Sequence, residues 1–162
     1  MINKKMLTVA MGCMALSTTA QAACWTPAEA DAATVRELQS RMMVAALRCS
    51  NSNHDVLNEY NRFVGSKKPL LKMGNNVLRS HFAKGLDRKQ AMKAYDKFAV
   101  TLANKYGAGS GDLSECKSMH YLARTSANSE DNHRALVSIA NRYGISPKLP
   151  GGRCGIVIAS RD

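Results

Sequence analysis

The residues able to do acid–base or nucleophilic chemistry are few, and their spacing is poor for it. His54-Asp55 is an adjacent pair, but neighbouring residues on a helix point apart, and no distant partners of a metal phosphohydrolase accompany it. Asp112 and Glu115 stand three apart, on one side of a helix turn. A glycosidase needs its two carboxylates opposed across a cleft, so helix-start electrostatics explain this pair better. His120 falls on the same stripe as Cys116, where a histidine is more often a packed, hydrogen-bonded core residue than a base. The one enzymatic reading these residues support is a small envelope hydrolase using His120 with Glu115 or Asp112. Asp131 and His133 have no nucleophile nearby, and the methionines outside the first 22 residues are scattered, unlike a copper-binding box. No cofactor motif or metal-ligand pattern is present, so none is expected.

Five cysteines punctuate the chain. Cys13 lies in a segment built like a secretory signal: Lys4 and Lys5, an apolar stretch from Met6 to Leu16, then Ala20-Gln21-Ala22. Cleavage after Ala22 leaves residues 23–162 as a single domain and removes Cys13. The aliphatic residue that precedes a lipid-anchored cysteine by three positions is replaced by Gln21, so Cys24 is expected to be a disulfide cysteine rather than an acylated one. Cys24, Cys49, Cys116 and Cys154 remain, and four cysteines allow three pairings. The favoured one joins the two ends, Cys24 with Cys154, and the first helix to the fifth, Cys49 with Cys116. Spacings of the CxxC, haem or zinc-finger type are absent. A periplasmic or secreted location follows from the signal and the even cysteine count. No later apolar run is long enough to span a bilayer.

Charge is the most informative feature. The whole chain carries a formal +11. Residues 62–105 hold 11 basic and only 2 acidic residues, a surplus that matches the +9 of the entire chain after residue 22. Lys89, Lys93 and Lys97 recur at four-residue steps, and Lys72 and Arg79 add to the field from the preceding segment. Such a face is either merely solvated or docks a polyanion, since one-sided charge raises the local anion concentration. The partners that fit an exported protein are lipopolysaccharide, acidic lipid or acidic glycan. Nucleic acid is a poorer match, because stacking aromatics are few and no binding motif is present. The function expected is a non-enzymatic helical module with an anion-docking face on residues 62–105. A third reading is a structural partner-binding subunit of an envelope assembly, which would show an exposed apolar patch instead.

The elements that must position these residues are helical almost throughout. Thr26-Pro27-Ala28-Glu29 is a capping box with proline at the first helical position. Val35, Leu38, Met42, Ala45 and Cys49 follow as one stripe. Val56, Leu57, Tyr60, Phe63 and Val64 mark a second helix ended by Gly65, and Pro69 opens a third that runs to Gly85. Asp87 to Gln90 caps a fourth, on which Met92, Tyr95, Ala99, Leu102 and Tyr106 form the stripe and Gly107 the end. Leu113, Cys116, His120 and Ala123 give a fifth, and Leu136, Ile139 and Tyr143 a sixth, closed by Gly144. Cys154 to Ile158 reads as a short extended tail, and Trp25 is expected to pack over the first disulfide. Residues 100–107 and 137–144 echo one another almost position for position, which helix-end chemistry explains better than duplication. The fold class is all-α: a small disulfide-stapled bundle of five to six helices.

Overall fold

The structure is a computed structural model that describes residues 24–107 and 113–155. Among them are six α-helices: α1 Pro27–Arg48, α2 Val56–Ser66, α3 Lys68–Phe82, α4 Arg88–Gly107, α5 Leu113–Ala127 and α6 His133–Arg142. The only strand-like pairing among the described residues is an isolated parallel bridge between Trp25 and Arg153. No helix among them is long and apolar enough to cross a membrane.

α1 is the axis of the bundle and touches each of the other five helices. Its composition explains why. Ala30, Ala32, Ala33, Ala45 and Ala46 are all buried, so backbones can approach closely from several sides. A helix buried on most of its circumference has little amphipathic asymmetry, and α1 buries Thr34, Glu37 and Ser40 along with its apolar residues. Its start is fixed by the capping box: the Thr26 hydroxyl accepts from Glu29 N–H, and the Glu29 carboxylate accepts from Thr26 N–H at 2.9 Å. Asp87 and Gln90 make the same reciprocal pair before α4, at 2.9 and 3.3 Å. Gly144 ends α6 at φ 66°, a left-handed exit that glycine makes without strain.

Two apolar clusters divide the core. The larger gathers Leu38, Met42, Phe63, Met119, Leu122, Leu136 and Ile139 from α1, α2, α5 and α6. The smaller surrounds the start of α1, with Trp25, Leu78, Phe98 and Leu102 buried and Phe82, Tyr95 and Leu149 packed against them. One disulfide closes each end of α1: Cys24–Cys154 before it and Cys49–Cys116 at its C-cap. Both pairings are the ones the sequence favours. Beside the first, Trp25 N–H donates to Gly152 O at 2.9 Å and Cys154 N–H to Trp25 O at 3.0 Å. The extended tail is therefore paired as far as Cys154, and its residues 156–158 lie outside the described residues.

Three expected stripe members face outward instead. Leu57, Met92 and Leu113 are 48%, 56% and 66% exposed. In each case the adjacent or next helical turn supplies the core residue, Val56, Ala91 and Cys116 respectively. The α2 helix also runs one residue past Gly65, to Ser66.

Each disulfide closes a long loop, with sequence separations of 130 and 67. Replacing Cys49 and Cys116 together by serine should lower unfolding free energy by about 4 kcal/mol in the chain-entropy model. Urea unfolding of the variant against the wild type measures this, and an unchanged midpoint would mean that the bridge constrains nothing.

Candidate functional site

The smaller core cluster contains an ionic site that periodicity does not reveal. Glu29, on the first turn of α1, is 8% exposed and His81, on the last turn of α3, is 7% exposed. His81 Nδ1 lies 3.1 Å from Glu29 Oε2, close enough for an ion pair though out of line for a hydrogen bond. Lys84 Nζ donates to Glu29 Oε1 at 2.6 Å. The imidazole stacks on Trp25 with ring centroids 3.7 Å apart and planes inclined by 27°. Trp25 also meets Phe82 and Phe98 and donates from Nε1 to Pro150 O at 2.8 Å. Its ring is thus an anchor for α3, α4 and the C-terminal segment.

Two opposed effects act on Glu29. Burial pushes its carboxyl pKa up, but hydrogen bonds from Lys84 and the Thr26 backbone, together with the adjacent His81 imidazole, outweigh it. The net value falls to about 2.

A second carboxylate repeats the pattern two turns along α1. Glu37 is fully buried, and its Oε1 accepts from Lys105 Nζ at 2.5 Å and from the Tyr106 hydroxyl. Burial, then the hydrogen bond and charge of Glu37, hold the Tyr106 phenol above its ordinary pKa. Arg41 sits over the Tyr106 ring at 5.4 Å and donates to Tyr143 O at 2.8 Å. The two tyrosines of the internal echo therefore converge on one arginine.

These pairs sort the basic residues of 62–105 into two groups. Arg62 pairs with Glu59, Lys67 with Asp131, Lys84 with Glu29 and Lys105 with Glu37. The other seven are Lys68, Lys72, Arg79, Arg88, Lys89, Lys93 and Lys97. All seven are exposed, and none forms an ion pair among the described residues.

The seven make a band rather than a single row. On α3 the spacing of Lys68, Lys72 and Arg79 places them within roughly 40° of one another around the axis. This flank adjoins α4: the Arg79 guanidinium lies over the Tyr95 ring at 5.6 Å, and the Tyr95 hydroxyl donates to Asn75 at 2.9 Å. Arg79 and Arg88 share a groove with Met92 and Asp96. On α4 each four-residue step turns about 40°, so Lys89, Lys93 and Lys97 cross the outer surface obliquely. Lys97 ends at a second groove, on the far side of α4.

Of the residues of the enzymatic reading, Glu115 and His120 have different recorded neighbours. Glu115 pairs with Arg48 at 3.2 Å, on the side of α5 where Arg48 also donates to Tyr106 O. His120 is half-buried, its Nδ1 3.4 Å from Asp55 O and its ring 6.2 Å from that of His54. Asp55 itself caps α2, accepting from Asn58 N–H at 3.1 Å. Asp112 lies outside the described residues. Among the described residues no group of three or more His, Cys, Asp or Glu is placed to hold a metal ion.

Comparison of the chain with protein-family models, curated proteins and solved structures gives no match.

The depressed pKa of Glu29 has a consequence for acid stability. A carboxyl whose folded value lies below its unfolded one contributes stability above the unfolded pKa and loses it as pH falls through the folded value. For Glu29 the window runs from about 4.5 down to about 2 and spans roughly 3 kcal/mol. Urea unfolding measured at steps from pH 6 to pH 2 should show this loss in the wild type, and Glu29→Gln should be less stable at pH 6 with a flatter profile. An equally steep profile in Glu29→Gln would assign the acid sensitivity elsewhere.

Proposed function

We propose that the chain is an exported, non-enzymatic helical module that docks an anionic envelope component through the basic band of α3 and α4. One observation carries the reading: the cations of residues 62–105 that structure needs are already paired, and seven exposed ones are left over on adjoining surfaces. Self-repulsion among them opposes folding, with like charges four apart on a helix costing a few tenths of a kcal/mol per pair. A band of this kind concentrates polyanions at its surface. Lipopolysaccharide, acidic lipid and acidic glycan are the partners that fit the proposed location. Two disulfides favour an oxidising compartment, extracellular or periplasmic.

Attraction between exposed charges is screened over about 8 to 10 Å near physiological ionic strength, so binding through the band must be salt-sensitive. Binding to lipopolysaccharide or to acidic vesicles should weaken steeply between low and high salt. Replacing Lys89, Lys93 and Lys97 together by glutamine retains helix propensity and should leave the unfolding midpoint unchanged or slightly raised. The same triple variant should bind markedly more weakly. Salt-independent binding, or equal binding by the variant, would reduce the band to a solvated face.

A further inference from the structure

The second groove differs in character from the basic band. It lies between α4 and the segment that leads to the Cys24–Cys154 bridge, and measures about 780 Å³. Phe82, Phe98 and Leu102 form its walls, and Lys97, Lys105 and Lys148 are set around them. Phe82 and Phe98 are also neighbours of Trp25, so the walls are held by the smaller core cluster rather than by a loose surface. The volume falls within the range of small-molecule sites, which combine a largely apolar lining with a few polar groups that orient the ligand.

The cations at this groove are not equivalent. Lys105 is committed to Glu37, whereas Lys97 and Lys148 make no ion pair among the described residues. An apolar lining beside positive charge that makes no ion pair complements an amphipathic anion. A purely polar anion would leave the phenylalanine walls wet, and a cationic amphiphile would meet repulsion from Lys97 and Lys148.

We propose that this groove binds a fatty acid, its hydrocarbon chain against Phe82, Phe98 and Leu102 and its carboxylate at Lys97 and Lys148. The site is distinct from the basic band and shares only Lys97 with it, so each stands or falls separately.

Titration of the full chain with dodecanoate, below its micelle concentration, tests the proposal. Thr101 is exposed and also lines the groove, so Thr101→Trp fills the space from a position outside the core. The wild type should bind dodecanoate saturably and one to one. Thr101→Trp should weaken binding at least about tenfold, and the exposed double variant Lys97→Glu/Lys148→Glu about fivefold, both with unchanged unfolding midpoints. Should Thr101→Trp unfold, the charge-reversed variant carries the test alone. Lys89→Gln/Lys93→Gln, which leaves the groove untouched, should bind dodecanoate like the wild type even where it loses salt-sensitive binding to lipopolysaccharide. No binding by the wild type would overturn the proposal, as would equal binding by the charge-reversed variant or by a folded Thr101→Trp. Equal affinity for dodecyltrimethylammonium would do the same. If binding appears only after deletion of residues 156–162, with their Ile156-Val157-Ile158 run, the groove is the seat of the chain's own end and the proposal fails.

Discussion

Two carboxylates on the central helix have to be neutralised, and the arrangement of the rest follows from how that is done. A charge removed from water costs several kcal/mol unless it is paired and hydrogen-bonded. Glu29 and Glu37 lie two turns apart on α1, which all the other helices contact. Glu29 draws in Lys84 and His81 from the end of α3, and Glu37 draws in Lys105 and Tyr106 from the end of α4. These contacts fix where both outer helices finish along α1. Such pairs contribute less net stability than apolar packing would, yet losing one partner strands a buried charge. Their effect is therefore chiefly on geometry.

That geometry decides which surface is left over. With the ends of α3 and α4 tied to α1, their remaining cations point into solvent, on the flank of α3 and the back of α4. The oblique path of Lys89, Lys93 and Lys97 is a property of the helix itself, since a repeat of four overshoots 3.6 residues per turn. It carries Lys97 from the solvated back of α4 to the apolar groove, beside Lys148. The proposed docking band and the proposed apolar site thus meet at one residue while resting on separate surfaces.

Much of this was legible in the chain. The Val35, Leu38, Met42, Ala45 and Cys49 stripe and both capping boxes are where spacing puts them, and the disulfide pairing is the one favoured among the three that four cysteines allow. The stripe and the caps rest on local rules, whereas the pairing rests on joining the two ends and taking the remaining two cysteines together. Met92 and Leu57 misled because an apolar side chain next to a stripe satisfies the same period as the true core residue, Ala91 or Val56. The ionic sites were hidden for a different reason. Periodicity scores apolar residues, so a buried glutamate reads as a gap in the pattern, and the capping role of Glu29 accounts for it before burial is considered. Trp25 sits beside the disulfide by adjacency, and its ring also stacks on His81, 56 positions away in sequence, a contact that no local rule gives.

The claim that buried carboxylates tie the outer helices to α1 is tested most directly by a double-mutant cycle on Glu37 and Lys105. Urea unfolding of Glu37→Gln, Lys105→Met and the double variant yields their coupling free of the single losses, provided each change adds no new contact. The account predicts a favourable coupling of about 1 to 2 kcal/mol, the range of a charge-assisted hydrogen bond with one buried partner. Strict additivity of the two losses would contradict it.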